Sequence, residues 1–492
     1  MTATAPPSYV RNQIVVGGRW RDPSGGDVIE VVSPATEQVV GSAVAATVAD
    51  VDLAVAAAAH AHATGPWRHA TMEERVAVVE RMCAALEPRL EDVLQLVTWE
   101  MGVPIRASRA LHRDMAVGSV RHACAAARRV VVEEYREGVV DALVRLEPVG
   151  VVASVAPWNG PFLQALYKIV YPLLAGCPVV FKPAPETPLD AFHVAEAFAE
   201  AGLPEGMLSI LPGGPALGEY LVGHPGVDAV FFTGSTETGR RIGGVCGAAM
   251  RRMVLELGGK SAAIVLDDAD LSAAVPSLGS GAFGNTGQNC AATSRILVAR
   301  SRHDELVEAL VATAEALTVG DPLDEGTDLG PLVSRRQRDR VEGYTRLALD
   351  DGAVAAAPGG RPADLPRGWF LRPTVLAGVD NSARIAQEEV FGPVVCVIPF
   401  DDDADAVRMA DDSPYGLHGA VHTADEDRAL SVARAVRTGT FSVNGFVLNS
   451  ERPFGGVKAS GVGRKYGVEG IREFMEVKTV NLARGAGTFS AR

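Results

Sequence analysis

The sequence predicts an α/β protein with parallel sheets, on three observations. Strand-like and helix-like segments alternate along most of the chain, as parallel strands joined by crossover helices require. At 492 residues the chain exceeds one ordinary core, so roughly two to four domains or lobes are expected. Hydrophobic residues make up 47% and charged residues 22%, the balance of a soluble globular protein.

Taken in order, Ile14 to Val32 reads as short strands with turns at Gly17-Gly18 and Gly25-Gly26. Helix follows from Ala49 to Ala63 and from Met72 to Glu100, where apolar residues recur at helical spacing. Val130 to Glu147 mixes apolar and charged positions around Gly138, as an exposed hairpin would. A βαβ-like series comes next. Its expected strands are Val151 to Val155, Pro178 to Phe181, Ser209 to Leu211, Ala229 to Phe232 and Met253 to Leu257. Its helices are Phe162 to Leu174 and Asp190 to Ala201. A second series starts at Ala262 to Val265, with helices Ala269 to Phe283 and Arg302 to Leu317 and a strand at Val394 to Val397. Ala355 to Gly368, rich in Gly, Pro and Ala, reads as a surface loop. No internal repeat is evident, and low complexity is confined to the first residues.

A net charge of −14 with no basic run disfavours phosphate-backbone binding, so no nucleic-acid partner is expected. No apolar stretch reaches the ~20 residues of a membrane span. Met1 to Pro7 lacks the pattern of a signal peptide. Six cysteines without a CxxC pair argue against a zinc site or a disulfide framework and for a reducing, cytoplasmic compartment. His60, His62 and His69 form a loose cluster that reads as a solvated helix end rather than a metal site, so no metal is expected.

Three residues supply the parts for covalent catalysis on a carbonyl. Cys290 closes Gly-Asn-Thr-Gly-Gln-Asn-Cys, a polar, Gly-rich setting unlike that of a buried structural thiol. Glu256 stands in Leu-Glu-Leu-Gly-Gly-Lys, and Asn159 in Pro-Trp-Asn-Gly-Pro-Phe. A thiol attacks, a carboxamide steadies the oxyanion, and a carboxylate activates water.

Nucleotide binding has a decoy. Gly279-Ser280-Gly281-Ala282-Phe283-Gly284 matches GxGxxG, but the residues before it read as helix rather than strand. Small residues for close helix packing explain it better. Phe232-Thr233-Gly234-Ser235-Thr236 follows a strand and opens a helix, where free N–H groups could face a pyrophosphate. A helix start capped by Ser235 or Thr236 explains it equally well, and both readings stay open at this point.

Together these motifs resemble the aldehyde dehydrogenase superfamily over nearly the whole chain. Pro157-Trp158-Asn159, Phe181-Lys182-Pro183-Ala184, Phe232-Thr233-Gly234-Ser235 and Leu255-Glu256-Leu257-Gly258-Gly259-Lys260 match in order. So do Gly287-Gln288-Asn289-Cys290, Glu389-Val390-Phe391-Gly392-Pro393 and Pro453-Phe454-Gly455-Gly456. The resemblance implies a doubly wound NAD-binding domain, a related α/β catalytic domain and a small β bridge for oligomerisation. The expected division is 1–127 and 149–258 for the NAD-binding domain, 128–148 for the oligomerisation hairpin, 259–459 for the catalytic domain and 460–492 for a C-terminal segment with an oligomerisation strand.

The resemblance also implies roles. Cys290 is the nucleophile, Glu256 the general base and Asn159 the oxyanion-hole amide, with Lys168 beneath the site. Lys182 binds the adenosine ribose, and Trp158 lines the cofactor cleft. Gly234 and Ser235 meet the pyrophosphate. Glu389 holds the nicotinamide ribose and Phe391 the ring. Ala184, Gly239, Leu257 and Gly258 complete the cofactor set. The substrate tunnel falls to Gly160, Leu163, Gln164, Tyr167, Asn289 and Ala291, with no plain hydrophobic passage for long fatty aldehydes indicated. Glu256 favours hydrolysis over acyl transfer to coenzyme A. Pro185, where many NAD-using relatives carry a glutamate, keeps NADP open beside NAD. A homodimer or homotetramer is implied. A catalytically silent nucleotide-binding protein and a thiol esterase are the alternatives.

Overall fold

The computed structural model describes residues 9–482. The reading of Met1 to Pro7 and the outermost ends of the expected domain division lie outside the described residues.

Two large sheets dominate. The first has eight strands in the order 461–462, 252–256, 229–233, 152–155, 179–182, 208–210, 14–16 and 19–21. The five from Arg252–Glu256 to Leu208–Ile210 are parallel, and antiparallel strands close both edges. From Val152–Val155 the chain winds outward one way, then returns to build Ala229–Thr233 on the other side. That reversal opens a crevice at the carboxyl ends of the strands, where open α/β sheets bind ligands. The second sheet has seven strands, ordered 354–360, 372–377, 394–400, 295–299, 262–265, 419–422 and 442–443, and is parallel apart from its first pair. A third, antiparallel sheet joins Met475–Leu482, Asp141–Pro148 and Glu133–Arg136. A fourth, of three strands, joins 9–11, 39–44 and 28–32.

The central strands read as continuous apolar runs because helices cover both faces. The helix Pro161–Ala175 lies against the first sheet and is buried along its whole length. Proline at its first position lacks only an N–H that would have no intrahelical partner, and Gly176 at φ +98° ends it in the left-handed region.

Two expectations change. Met72 to Glu100 is not one helix, because Pro88 cannot continue the hydrogen-bond ladder. A 3₁₀ turn at Glu87–Arg89 separates Met72–Leu86 from Leu90–Met101. The expected loop from Ala355 begins as the edge strand Val354–Gly360, where Pro358 is tolerated because nothing pairs beyond it. The GxGxxG segment lies within the helix Leu271–Phe283 and its end. A Cβ on Gly279 would sit 2.9 Å from Thr313 and one on Gly281 2.5 Å from Thr293, so these glycines serve close packing.

Candidate functional site

Four motifs stand at the carboxyl ends of adjacent strands of the first sheet. Val152–Val155 leads to Trp158 and Asn159, and Val179–Lys182 ends on Lys182 itself. Ala229–Thr233 leads to Gly234 and Ser235, and Arg252–Glu256 ends on Glu256. Residues distant in sequence therefore meet along one crevice.

Three cavities run through it. One of about 340 Å³ is walled by Lys182, Ala184, Pro185, Glu186, Gly234 and Arg336 among others. A second, of about 430 Å³, is walled by Trp158, Asn159, Gly234, Ser235, Leu257, Gly258, Glu389, Phe391 and Cys290. A third, of about 350 Å³, reaches Cys290 and Asn159 from the other side and includes Gly160, Leu163, Gln164, Tyr167, Asn289 and Ala291. Cys290 and Asn159 are thus shared by the second and third.

The thiol sits on a constrained loop. Asn285 and Thr286 have φ of +55° and Gly287 +69°. A Cβ on Gly287 would lie 2.1 Å from Gly392 O, so only glycine allows the Cys290 loop to meet the Glu389–Pro393 loop. Asn159 Nδ2 donates to Gln288 O at 3.0 Å, and Asn285 Nδ2 donates to the same oxygen at 3.2 Å and to Asn159 O at 2.9 Å. One Asn159 N–H is spent on this brace, and an amide carries a second. Burial pushes the Cys290 thiol up to about 11, with Lys465 as the largest opposing influence.

Glu256 is 2% exposed and lines neither cavity that holds Cys290. Its Oε2 lies 3.1 Å from Lys465 Nζ. Burial raises its pKa, and Lys465 followed by Lys168 and Arg464 pull it back. Lys168 is sealed beneath, donating to Phe231 O at 3.2 Å, with Nζ 3.7 Å from the Phe231 ring centre. Burial holds its pKa well below the usual lysine value.

On the other flank, Ser235 caps the helix Thr236–Ala248 by accepting from Thr238 N, and this helix start lies at the wall of the crevice. Lys182 is buried, donates to Pro183 O at 2.9 Å and is lowered to about 8 by burial. Glu389 accepts from Gly259 N at 3.1 Å and is raised to about 7 by burial. Phe391, at φ +62°, stands edge-on to Trp158 with ring centres 5.4 Å apart. Gln337 donates to Phe391 O at 2.8 Å and Arg340 to Glu389 O at 2.6 Å, fixing that loop.

A thiol, an amide donor, a nearby carboxylate and a crevice at a helix start form a consistent set. The aldehyde dehydrogenase family model matches residues 20–480. The chain belongs to the aldehyde dehydrogenase family. It is 42% identical to geranial dehydrogenase of Castellaniella defragrans, over 95% of this chain and 98% of that one. A Mycobacterium tuberculosis aldehyde dehydrogenase solved in complex with NAD+ superposes with a TM-score of 0.96 at 43% identity, covering 98% of this chain and 100% of that one. A mutant of aldehyde dehydrogenase C from Pseudomonas syringae, solved with NAD+ and octanal, gives 0.92 at 37% identity, covering 95% and 96%.

Within this aldehyde dehydrogenase, nearly all the residues singled out in the sequence gather on the crevice. Glu256 and Lys168 are sealed behind its walls, and Gly239 does not line it. It lies one turn into its helix, where a Cβ would sit 2.4 Å from Leu257, so it lets helix and strand approach. Several residues are assigned no role from the sequence. Phe446, Leu448, Phe454, Leu111 and Met115 give the third cavity apolar walls, and Lys465 and Tyr466 close it. Loop aromatics carry no periodic signal. Lys465 follows the Pro453-Phe454-Gly455-Gly456 motif, but nothing in the spacing ties it to Glu256.

Proposed function

We propose that this aldehyde dehydrogenase oxidises apolar, medium-sized aldehydes to their acids through a thioester on Cys290, with NAD as its cofactor. The observation that carries this reading is that Cys290 and Asn159 form the wall common to two cavities, one of mixed character that holds Glu389, Arg336 and Arg340 and one largely apolar. The first two cavities suit a dinucleotide. They adjoin along Trp158, Gly234 and Arg336, lie at a helix N-terminus, and offer Lys182, Glu186 and Glu389 as partners for ribose hydroxyls. Glu186 lines the adenosine end, which supports NAD, since a carboxylate there repels a 2′-phosphate. When bound, the nicotinamide supplies the acceptor for the aldehyde's hydride.

The chain's residues do the rest. The Cys290 sulfur bonds to the carbonyl carbon, and the carbonyl oxygen takes the charge. Asn159 Nδ2 and the Cys290 backbone N–H donate to that oxygen. Loss of hydride leaves a thioester. Glu256 takes a proton from water, whose oxygen attacks the thioester carbon, and the thiol leaves with the acid as product. The resting thiol is protonated, so the covalent step needs a proton acceptor or the field of a bound cation.

The apolar third cavity supports the substrate class, as do the relatives named for geranial and solved with octanal. We assign the first sheet to cofactor binding and the second to catalysis. The third sheet, with Tyr135, Val477 and Val480 on its surface, is assigned to association into a homodimer or homotetramer. No helix among the described residues is long and apolar enough to cross a membrane, and the cysteines described are all free, which supports a cytoplasmic location.

Absorbance at the reduced-nicotinamide band, with octanal, betaine aldehyde and a semialdehyde acid and with both cofactors, tests the reading. The highest kcat/KM is expected for octanal with NAD. Equal or better turnover of the charged aldehydes would refute the substrate class. Binding of NAD without turnover of any aldehyde would point to a silent nucleotide-binding protein.

A further inference from the structure

Lys465 occupies a position the mechanism above does not use. Its side chain is 8% exposed and its Nζ lies 3.1 Å from Glu256 Oε2. It also lines the third cavity beside Cys290, which Glu256 does not. Three rings surround the ammonium, with Phe454, Tyr167 and Tyr466 centres at 4.4, 4.7 and 5.4 Å, and the Tyr167 hydroxyl lies 3.5 Å away. Such a box stabilises a largely buried cation by charge–quadrupole attraction.

The backbone places it there deliberately. Gly461–Val462 pairs with the strand that ends on Glu256, Glu256 facing Gly461. The chain then turns back through Gly463 at φ +80°, and Phe454 and Lys465 exchange backbone hydrogen bonds of 2.8 Å in each direction. Tyr466 follows at φ +65°, a conformation that strains a non-glycine residue and persists where surrounding contacts hold it.

Resting on the reading of Cys290 as nucleophile and Glu256 as base, we propose that Lys465 is a positioning residue for Glu256. It holds the carboxylate charged and oriented, so that Glu256 can accept a proton from water once the thioester forms. The groups that face Glu256 are Lys465, Lys168, Arg464, Tyr167, Tyr466 and Cys290. Arg464 is occupied with Gly456 O and Gly463 O at 2.9 and 2.8 Å, and Lys168 with Phe231 O. Lys465 is therefore the cation in direct contact with the carboxylate. Its removal leaves a desolvated acid whose protonated form is favoured, and a protonated acid cannot accept a proton from water.

The test needs no cofactor. p-Nitrophenyl acetate acetylates Cys290, and loss of the acetyl adduct is followed by intact-protein mass spectrometry between pH 5 and pH 10. The wild type is compared with K465M, K465Q and K465R. In K465M and K465Q the acid limb of deacetylation should move up by about 1–3 pH units, the usual influence of one close opposite charge. K465R should bring it back towards the wild type. Coincident limbs in the wild type and whichever neutral variant folds would overturn the proposal, as would a lower rate at every pH with no shift of the limb. If neither neutral variant folds, a K465R limb displaced upward as far as expected for a lost charge overturns it, and a limb near the wild type supports it. Failure of the wild type to form an adduct on Cys290 would instead bring down the nucleophile assignment, and this proposal with it.

Discussion

Replacing Asn159 with alanine separates catalysis from stability. Asn159 Nδ2 donates to Gln288 O, two residues before the thiol. That oxygen keeps a second donor, Asn285 Nδ2 at 3.2 Å, so the Cys290 loop stays braced when Asn159 is shortened. The net loss of one hydrogen bond is about 1 kcal/mol of stability. The loss in the transition state is larger, because the same amide carries the N–H assigned to the oxyanion. Removing one such donor costs about 2.7–4 kcal/mol, or roughly 10²–10³ in kcat. Steady-state oxidation of octanal gives kcat and KM, and thermal unfolding gives stability. The expected result is a kcat reduced by that factor, a KM changed far less and a nearly unchanged Tm. Asn285→Ala removes both of its braces and should show a greater loss of Tm. An Asn159→Ala enzyme with normal kcat and raised KM would refute the oxyanion assignment and leave Asn159 as a substrate contact.

Other outcomes follow from the same geometry. Burial raises the Cys290 thiol to about 11, so its charged form is disfavoured and, at pH 8 without cofactor, about one molecule in a thousand carries a thiolate. Alkylation by iodoacetamide should rise about tenfold per pH unit from pH 7 to pH 10, and a plateau below pH 9 would contradict this. Glu256→Gln should lower steady-state oxidation by roughly 10²–10⁴ while one equivalent of reduced cofactor still appears in a burst and an acyl adduct accumulates on Cys290. Loss of both would assign Glu256 to thiol activation. Glu186→Ala should raise the ratio of NADP to NAD turnover by roughly tenfold or more, because a like charge leaves the adenosine cavity. An unchanged ratio would mean the carboxylate does not meet the ribose. Gly287→Ala places a Cβ 2.1 Å from Gly392 O at φ +69° and should cost roughly 10²-fold in kcat through displacement of the thiol, measured beside Tm. Unchanged activity would show that the two loops are not coupled.

What could be read in the sequence was what local chemistry writes there. The parallel strands at Val151 to Val155 and Ala229 to Phe232 are short apolar runs bounded by glycine and proline, and the structure places strands at 152–155 and 229–233. The motifs that carry Asn159, Glu256 and Cys290 are Gly-rich because backbones must pass close together, as at Gly287. Other features depend on partners far away in the chain. The strand Val354–Gly360 holds no alternating pattern, since it is an edge that needs only one neighbour. Lys465 looks like an ordinary surface lysine until the fold sets it against Glu256. Glu186 gains meaning only when it is seen to line one cavity with Lys182 and Pro185. Gly239 is placed in the cofactor set by resemblance, and its close approach to Leu257 across a helix–strand gap is visible only in the fold.

The pairing of Leu255 with Val462 has a consequence for how the enzyme is made. The strand bearing Glu256 leaves the ribosome about 10–40 s before its edge partner, at ordinary elongation rates of about 5–20 residues per second. During that interval the thiol loop is synthesised, but the wall formed by Phe454, Lys465 and Tyr466 does not exist. A nascent chain stalled between residues 290 and 461 therefore carries a reactive-site cysteine without its finished chamber. Pairing across so long a sequence interval is slow, which makes closure of this edge a late event in folding. Activity should appear only after the returning segment docks, well after most of the first sheet has formed.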